Sequence, residues 1–377
     1  MTLTISADFD SGNIQVLDAS DPAHIRLAIR PDTRSDHFQW FHFKVDGLSA
    51  GQSYGFSLTN ASESTFNTAW TGYDAVASYD HQNWFRVPSS FDGKALNFSL
   101  VPEQPHVWFA YFEPYSRERH HRLVLQAQEQ AGMQVLATGK SVEGRDIPLL
   151  RKGDGAEGKR NVWIIAQQHP GEHMAEWFME GVIDRLQQDD EAMRQLLNNA
   201  DIYLVPNMNP DGAFHGHLRT NANGKDLNRA WQDSTEEQTP EVFFARQQME
   251  KYGVDMFLDV HGDEEIPYVF TAACEGNPGY TPHQQQLEEE FRRRLCDATV
   301  DFQTVYGYPR SAKGQGNLKL AANAVGERYQ CLALTLEMPF KDNNNAPDPV
   351  TGWSGKRSAQ LASHVLSVLS DMVENLR

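Results

Sequence analysis

The chain reads as an N-terminal all-β sandwich followed by a C-terminal α/β domain, and three observations set that expectation. Before about residue 113, short segments alternate apolar and polar side chains at period two. After about residue 120, compact apolar runs alternate with helical patterns. Between them, residues 113–121 (Glu-Pro-Tyr-Ser-Arg-Glu-Arg-His-His) form a polar stretch with a proline. The expected division is a sandwich over residues 1–116 and an α/β domain over residues 117–377. A chain of 377 residues is long for one core, which agrees with two.

The strands of the first part follow in order. Phe41, Phe43 and Val45 share one face; so do Tyr54, Phe56 and Leu58, then Leu96, Phe98 and Leu100, then Val107, Phe109 and Tyr111. Clusters of Gly, Asn, Asp and Ser separate them, and no long helical pattern intervenes, as in a sandwich. In the junction, His120 and His121 read as solvated linker histidines on opposite sides of an extended chain. Residues 122–132 suggest a helix, and 133–152 two strands joined at Glu143-Gly144-Arg145-Asp146. Residues 162–166, 202–205, 256–260 and 332–336 are compact apolar strands. Met174, Phe178 and Val182 recur at i, i+4 and i+8, which places a helix over about 171–188. Thr239-Pro240 and Thr281-Pro282 each start a helix, with proline at its first position. Leu361, Val365, Val368 and Met372 mark a C-terminal amphipathic helix. Strands alternating with helices imply a sheet covered on both faces.

Composition narrows the function. The net charge of −18 argues against nucleic acid, which needs a basic footprint. The longest basic run, Arg292-Arg293-Arg294, lies beside Glu288, Glu289 and Glu290 and reads as a solvated, charge-paired helix face. Three cysteines are too few for a disulfide framework and point to reduced thiols. The first eight residues lack a basic start and an apolar segment, and no stretch approaches a membrane span. A cytoplasmic protein without membrane partners is expected.

The chemistry gathers at strand ends. His-x-x-Glu occurs three times, at His169/Glu172, His173/Glu176 and His261/Glu264. Only His169 and His261 directly follow compact apolar strands, where ligands collect in open α/β sheets. Two histidines and a glutamate form a common catalytic zinc set that leaves one position open for water. His169, Glu172 and His261 complete such a set. A competing pattern, His-x-x-Glu-His, would use His169 and His173 as ligands with Glu172 as base. Pro170-Gly171 disfavours the continuous helix that pattern needs. The turn-rich segment 209–231 supplies Arg219, Asn228 and Arg229. Arginine's planar fork matches a carboxylate, so an Asn-Arg pair can hold a substrate carboxylate and a second arginine an oxyanion. Glu337 ends an apolar strand and stands where a general base is needed.

Glu143-Gly144-Arg145, His169-Pro170-Gly171-Glu172, Asn209-Pro210-Asp211-Gly212, Asp226-Leu227-Asn228-Arg229, Val260-His261-Gly262 and Thr335-Leu336-Glu337 occur in the order seen in zinc metallocarboxypeptidases of the carboxypeptidase A type. The chain resembles the cytosolic carboxypeptidase branch in particular. Phe9-Asp10-Ser11-Gly12-Asn13, Trp40-Phe41-His42-Phe43 and 109–115 are similar to its N-terminal β-sandwich. The resemblance implies a mixed central sheet covered by helices and one zinc ion on His169, Glu172 and His261. It implies Glu337 as general base and acid, Arg219 polarising the scissile carbonyl, Asn228 and Arg229 holding the terminal carboxylate, and Asp226 orienting His169. The implied substrate is a peptide or protein C-terminus.

Several features depart from that family. Its active-site tyrosine has two candidates here, Tyr306 and Tyr308, and neither is assigned. Relatives that trim glutamates carry Gly-x-Gly-Arg, whereas this chain has Gly314-Gln315-Gly316-Asn317, with Lys313 and Lys319 alongside. The run Asp263-Glu264-Glu265 is more acidic than the family pattern, and near the terminal-residue pocket it would favour a basic residue. A zinc amidohydrolase acting on N-acyl amino acids is an alternative, as is a binding protein with an inactive peptidase-like domain. Trp40 and Trp108 are expected to pack at the domain interface.

Overall fold

The computed structural model describes residues 3–376. Met1 and Thr2, which open the segment read above for a leader, lie outside the described residues. Two five-stranded sheets make up the N-terminal part. The first has the order β1 (Thr4–Ser6), β4 (His42–Asp46), β10 (His106–Ala110), β6 (Ala75–Ser78), β7 (Trp84–Val87). The second has the order β2 (Gln15–Asp18), β3 (Ile25–Ala28), β5 (Tyr54–Leu58), β9 (Leu96–Leu100), β8 (Ser89–Phe91). The alternation seen in the sequence is the alternation of this sandwich. Phe43, Phe56, Phe98 and Phe109 are buried together, with ring centroids 4.9–6.1 Å apart. Each such pair contributes about 0.5–1.5 kcal/mol beyond burial.

The seven-stranded sheet that follows is mixed. Its order is β11 (Gln134–Lys140), β12 (Asp146–Lys152), β14 (Ala200–Val205), β13 (Arg160–Ala166), β15 (Met256–Asp263), β17 (Leu332–Pro339), β16 (Phe270–Ala273). β13 runs parallel to β14 and β15, and β15 parallel to β17, while β11, β12 and β16 pair antiparallel. The helices are α1 (Arg117–Glu129), α2 (Met174–Leu186), α3 (Glu191–Asn199), α4 (Pro210–His215), α5 (Pro240–Tyr252), α6 (Pro282–Ala298), α7 (Ala321–Tyr329) and α8 (Gly355–Met372). Along β13, Val162, Ile164 and Ala166 join the core that includes α2 and α8, whereas Trp163 and Ile165 join the core beneath α5 and α7. Burial on both faces is why these strands read as continuous apolar runs. Gly181 brings α2 against α8, since a Cβ there would stand 2.2 Å from the Ala359 carbonyl oxygen.

Three local expectations differ from the structure. The helix expected from about residue 122 begins at Arg117, because the Ser116 hydroxyl accepts the Arg119 N–H at 3.2 Å and caps it. His120 is therefore not a solvated linker residue. It is buried and paired with Glu176 of α2. Arg292 is not a solvated residue either. It turns inward to Glu288 at 2.5 Å and to Thr271 Oγ1 at 3.0 Å.

The sandwich sits directly against the α/β part. Arg86 donates to the carbonyls of Phe340 (2.9 Å), Trp353 (3.0 Å) and Thr351 (3.1 Å). Tyr111 stacks on Phe340 at 4.6 Å. Trp40 stacks on His173 at 4.2 Å, as an interface residue should. Trp108 instead lies beside Lys44, whose Nζ is 4.9 Å from its ring, and His81. Gly216 closes α4 in the left-handed conformation (φ 69°) with the Ser11 and Gly12 carbonyls too close for a Cβ. The three cysteines are free, with Cys274 and Cys331 buried. No helix among the described residues is long and apolar enough to cross a membrane.

Candidate metal and peptide site

The parallel register of the central strands brings the polar ends together. Ala166 pairs with Val260, so β13 stops one residue before the level of His261, and the chain turns at Gln167 (φ 56°) towards His169. The side chain of Gln167 donates to the Pro170 carbonyl at 2.9 Å, which holds this turn. Glu172 follows in the turn before α2, its N–H bonded to the His169 carbonyl at 3.1 Å. β15 continues through His261 to Asp263, three residues past the run expected to form it.

His169, Glu172 and His261 converge, offering one ligand atom each, all within 4.8 Å of one another. Each is at most 5 % exposed. His169 Nδ1 lies 2.6 Å from Glu172 Oε1, and His261 Nδ1 lies 2.7 Å from Glu172 Oε2. The outer ring nitrogens face carboxylates. His169 Nε2 is 3.0 Å from Asp226 Oδ1, and His261 Nε2 is 2.9 Å from Asp259 Oδ2. Carboxylates on the far nitrogens fix the rings as metal-binding histidines require.

The electrostatics suit a cation. Burial works to raise the Glu172 carboxyl, yet His169 and His261 outweigh it and hold the value down at about 2. Burial opposes a charged His261, yet Asp259 and Glu172 raise it well above the ordinary histidine value. Three carboxylates, Glu172, Asp226 and Asp259, bear on the two imidazoles, and a divalent ion fits the donor set. Glu337 Oε2 adds a buried oxygen with no hydrogen-bond partner among the described residues. Burial, helped by Glu172 and Asp263 and opposed by His261, pushes the Glu337 carboxyl well up.

The trio and Glu337 line a cleft of about 630 Å³, which Arg219, Asn228 and Arg229 also line. Arg219 Nε donates to Asp226 Oδ2 at 2.8 Å, and its guanidinium lies 5.5 Å from the Phe66 ring. Asn228 Oδ1 accepts the Ala321 N–H at 2.8 Å, and its Nδ2 is 3.4 Å from His261 Nε2. Arg229 is exposed, with Nη1 donating to the Asn228 carbonyl at 2.8 Å.

His173, the rival ligand, stands outside the trio. Its Nδ1 accepts the Tyr115 N–H at 2.9 Å, and burial lowers its pKa to about 3, so the ring is neutral and structural. Lys313, Lys319 and the segment 314–317 do not line the cleft; Arg292 and Arg310 stand in their place. Asp263, Glu264 and Glu265 do line it, together with Phe66 of the sandwich.

Two further residues enter the site. Tyr308 has an exposed ring, but its hydroxyl reaches Asp263 Oδ2 (2.7 Å) and Glu337 Oε1 (3.1 Å). Asp259 was legible in principle, since i and i+2 on a strand share a face and His261 was already singled out.

Known proteins are similar to this chain over both parts. The model of the cytosolic carboxypeptidase N-terminal domain matches residues 5–112, and that of zinc carboxypeptidase matches residues 124–343. The chain belongs to the zinc carboxypeptidase family. An uncharacterized protein of Zymomonas mobilis is 45% identical, over 100% of this chain and 98% of its own length. Cytosolic carboxypeptidase 6 of Caenorhabditis elegans is 25% identical, over 90% of this chain and 79% of its own. A metallo-carboxypeptidase from Pseudomonas aeruginosa, solved with (2-guanidinoethylmercapto)succinic acid, is 61% identical with a TM-score of 0.98, covering 99% of this chain and 100% of that one. The mixed sheet and the β-rich N-terminal part are those of this family, and its activity is zinc-dependent carboxypeptidase hydrolysis. The amidohydrolase and inactive-scaffold alternatives are not favoured.

Proposed function

We propose that this carboxypeptidase removes the last residue of peptides or protein tails in the cytoplasm, using one zinc ion held by His169, Glu172 and His261. The observation that carries the reading is the convergence of these three donors beside the unpartnered Oε2 of Glu337. When bound, zinc lowers the pKa of a coordinated water to about 7 and polarises the scissile carbonyl. Asp226 orients His169. Asn228 and Arg229 grip the terminal carboxylate, and the Pseudomonas relative's ligand, a succinic acid, offers such a group. Glu337 takes the proton of the attacking water and returns it to the leaving amine. Arg219 faces the oxyanion that develops on the scissile carbonyl oxygen. We take the chain to divide into residues 1–116 and 117–377, the first a sandwich that buttresses the second.

The experiment is amino-acid release from a peptide library with free and amidated C-termini, with and without chelator. Single-residue release from free C-termini alone, abolished by chelator and restored by zinc, is expected. Chelator-insensitive release, or equal cleavage of amidated peptides, overturns the reading.

A further inference from the structure

Two groups of residues, each tied by its own contacts, line the cleft beside the His169–Glu172–His261 trio. The first is Thr271, Glu275, Arg292 and Arg310. Arg292 donates to the Thr271 carbonyl at 2.8 Å, and Arg310 donates to Glu288 at 2.9 Å and lies 4.0 Å from Glu275. The second is Phe66 of the sandwich with Arg219, Glu264 and Glu265. The Arg219 guanidinium lies 5.5 Å from the Phe66 ring, and Thr68 of the sandwich donates to Glu265. Under the carboxypeptidase reading, a terminal residue gripped at Asn228 and Arg229 is assigned to the first group, and the residue on the amino side of the scissile bond to the second.

Glu264, of the second group, lines the cleft and is 5 % exposed. Among the described residues its carboxyl makes no side-chain hydrogen bond and no ion pair. Burial, helped by Glu172 and Asp263 and opposed by Arg219, pushes this carboxyl well up, and a cation beside it would hold it charged. Those three groups each have other partners. Glu172 belongs to the metal trio. Asp263 accepts the N–H groups of Glu265 (2.8 Å) and Ile266 (2.5 Å) and the Tyr308 hydroxyl. Arg219 is engaged by Asp226. Lys341 donates to the carbonyls of Thr71 and Glu265. Buried carboxylates are paired as a rule, and this one has an open edge onto the cleft.

We propose that Glu264, backed by Glu265 and walled by Phe66, is a specificity subsite for a lysine or arginine at the penultimate position of the substrate. The proposal rests on the carboxypeptidase reading. The acidic run that the sequence suggested would select the terminal residue selects its neighbour instead.

The test uses the zinc-loaded full chain and peptides that share one C-terminal residue and differ before it: Lys, Ala or Glu. In the wild type, kcat/KM for penultimate Lys is expected to exceed that for Glu by about tenfold or more, and the ratio falls as salt rises. Glu264→Gln brings the ratio to within about threefold, and Glu264→Arg inverts it. A wild-type ratio near one and indifferent to salt overturns the proposal, whether or not the variants fold. A ratio unchanged in Glu264→Gln overturns it as well. So does an equal loss on all three peptides, which would make Glu264 a support for Arg219. Absence of chelator-sensitive release from every peptide overturns the carboxypeptidase reading, and the subsite with it.

Discussion

His261 and Glu337 are register partners on the adjacent parallel strands β15 and β17. Parallel pairing in register puts an imidazole and a carboxylate in one layer at the carboxyl edge of the sheet. The same register sets Gly262 opposite Met338 and Asp263 opposite Pro339, so neither strand can slip without separating the pair. The relation explains how two residues seventy-six positions apart, His261 and Glu337, come to stand side by side at one cleft.

Glu337→Gln keeps the shape of the side chain and removes its ability to take a proton. The expected outcome is a loss of roughly 10²–10⁴-fold in kcat with zinc content and fold retained. Steady-state kinetics on a good peptide, beside metal analysis of the same sample, checks it. A variant that turns over within about threefold of wild type removes Glu337 from the role of base.

His261 of the trio and its rival His173 separate by metal content. His261→Ala deletes a donor of the trio and is expected to lose zinc on dialysis. His173→Ala deletes an acceptor for the Tyr115 N–H and the ring stacked on Trp40, and is expected to keep zinc while losing about 2 kcal/mol or more of stability. Zinc loss in His173→Ala with retention in His261→Ala would restore the rival pattern.

The strand ends were legible because burial on both faces writes compact apolar runs, and a polar residue just past such a run stands out. His169, His261 and Glu337 were found that way, and the structure gathers them. Tyr308 was not, because residues 303–320 contain no regular element and nothing in their pattern says which side chain folds back onto Glu337. His120 was misread for a related reason. Its helix opens with polar residues, so the apolar period begins only at Leu123, while the capping serine at 116 carried the boundary. The placement of Glu264 depended on the sandwich wall at Phe66, a tertiary relation that spacing does not encode.

Glu241 gives the protein a pH-dependent stability. Burial raises its carboxyl from 4.5 to about 7, against hydrogen bonds from its own backbone, Asn221 and Val142. The folded chain therefore binds this proton more tightly than the unfolded chain. Stability falls as pH rises through the window from about 4.5 to about 7, and the loss is complete above it. Glu241→Gln removes the titration and keeps a group that accepts and donates. Its advantage over wild type is expected to be small near pH 5 and to reach on the order of 2–3 kcal/mol near pH 8. Thermal or denaturant unfolding of both proteins at the two pH values decides it; an equal difference at both sinks the assignment.

Asp32 ties the sandwich to the backbone at Arg219. Its buried carboxylate accepts the N–H groups of Leu218 (2.7 Å), Arg219 (2.9 Å) and Thr220 (2.9 Å) and the Thr220 hydroxyl (3.0 Å). Three consecutive amides on one carboxylate fix the backbone from which the Arg219 side chain reaches the cleft. Asp32→Asn removes the charge and sets an amide N–H against those donors, at an expected cost of about 2–3 kcal/mol in stability. A structural role alone would end there. If Asp32 acts through Arg219, the folded variant also loses kcat, and a double-mutant cycle with Arg219→Ala is non-additive: the double variant turns over about as slowly as Arg219→Ala alone. Additive losses in kcat, within about 0.5 kcal/mol, would confine Asp32 to holding the fold together.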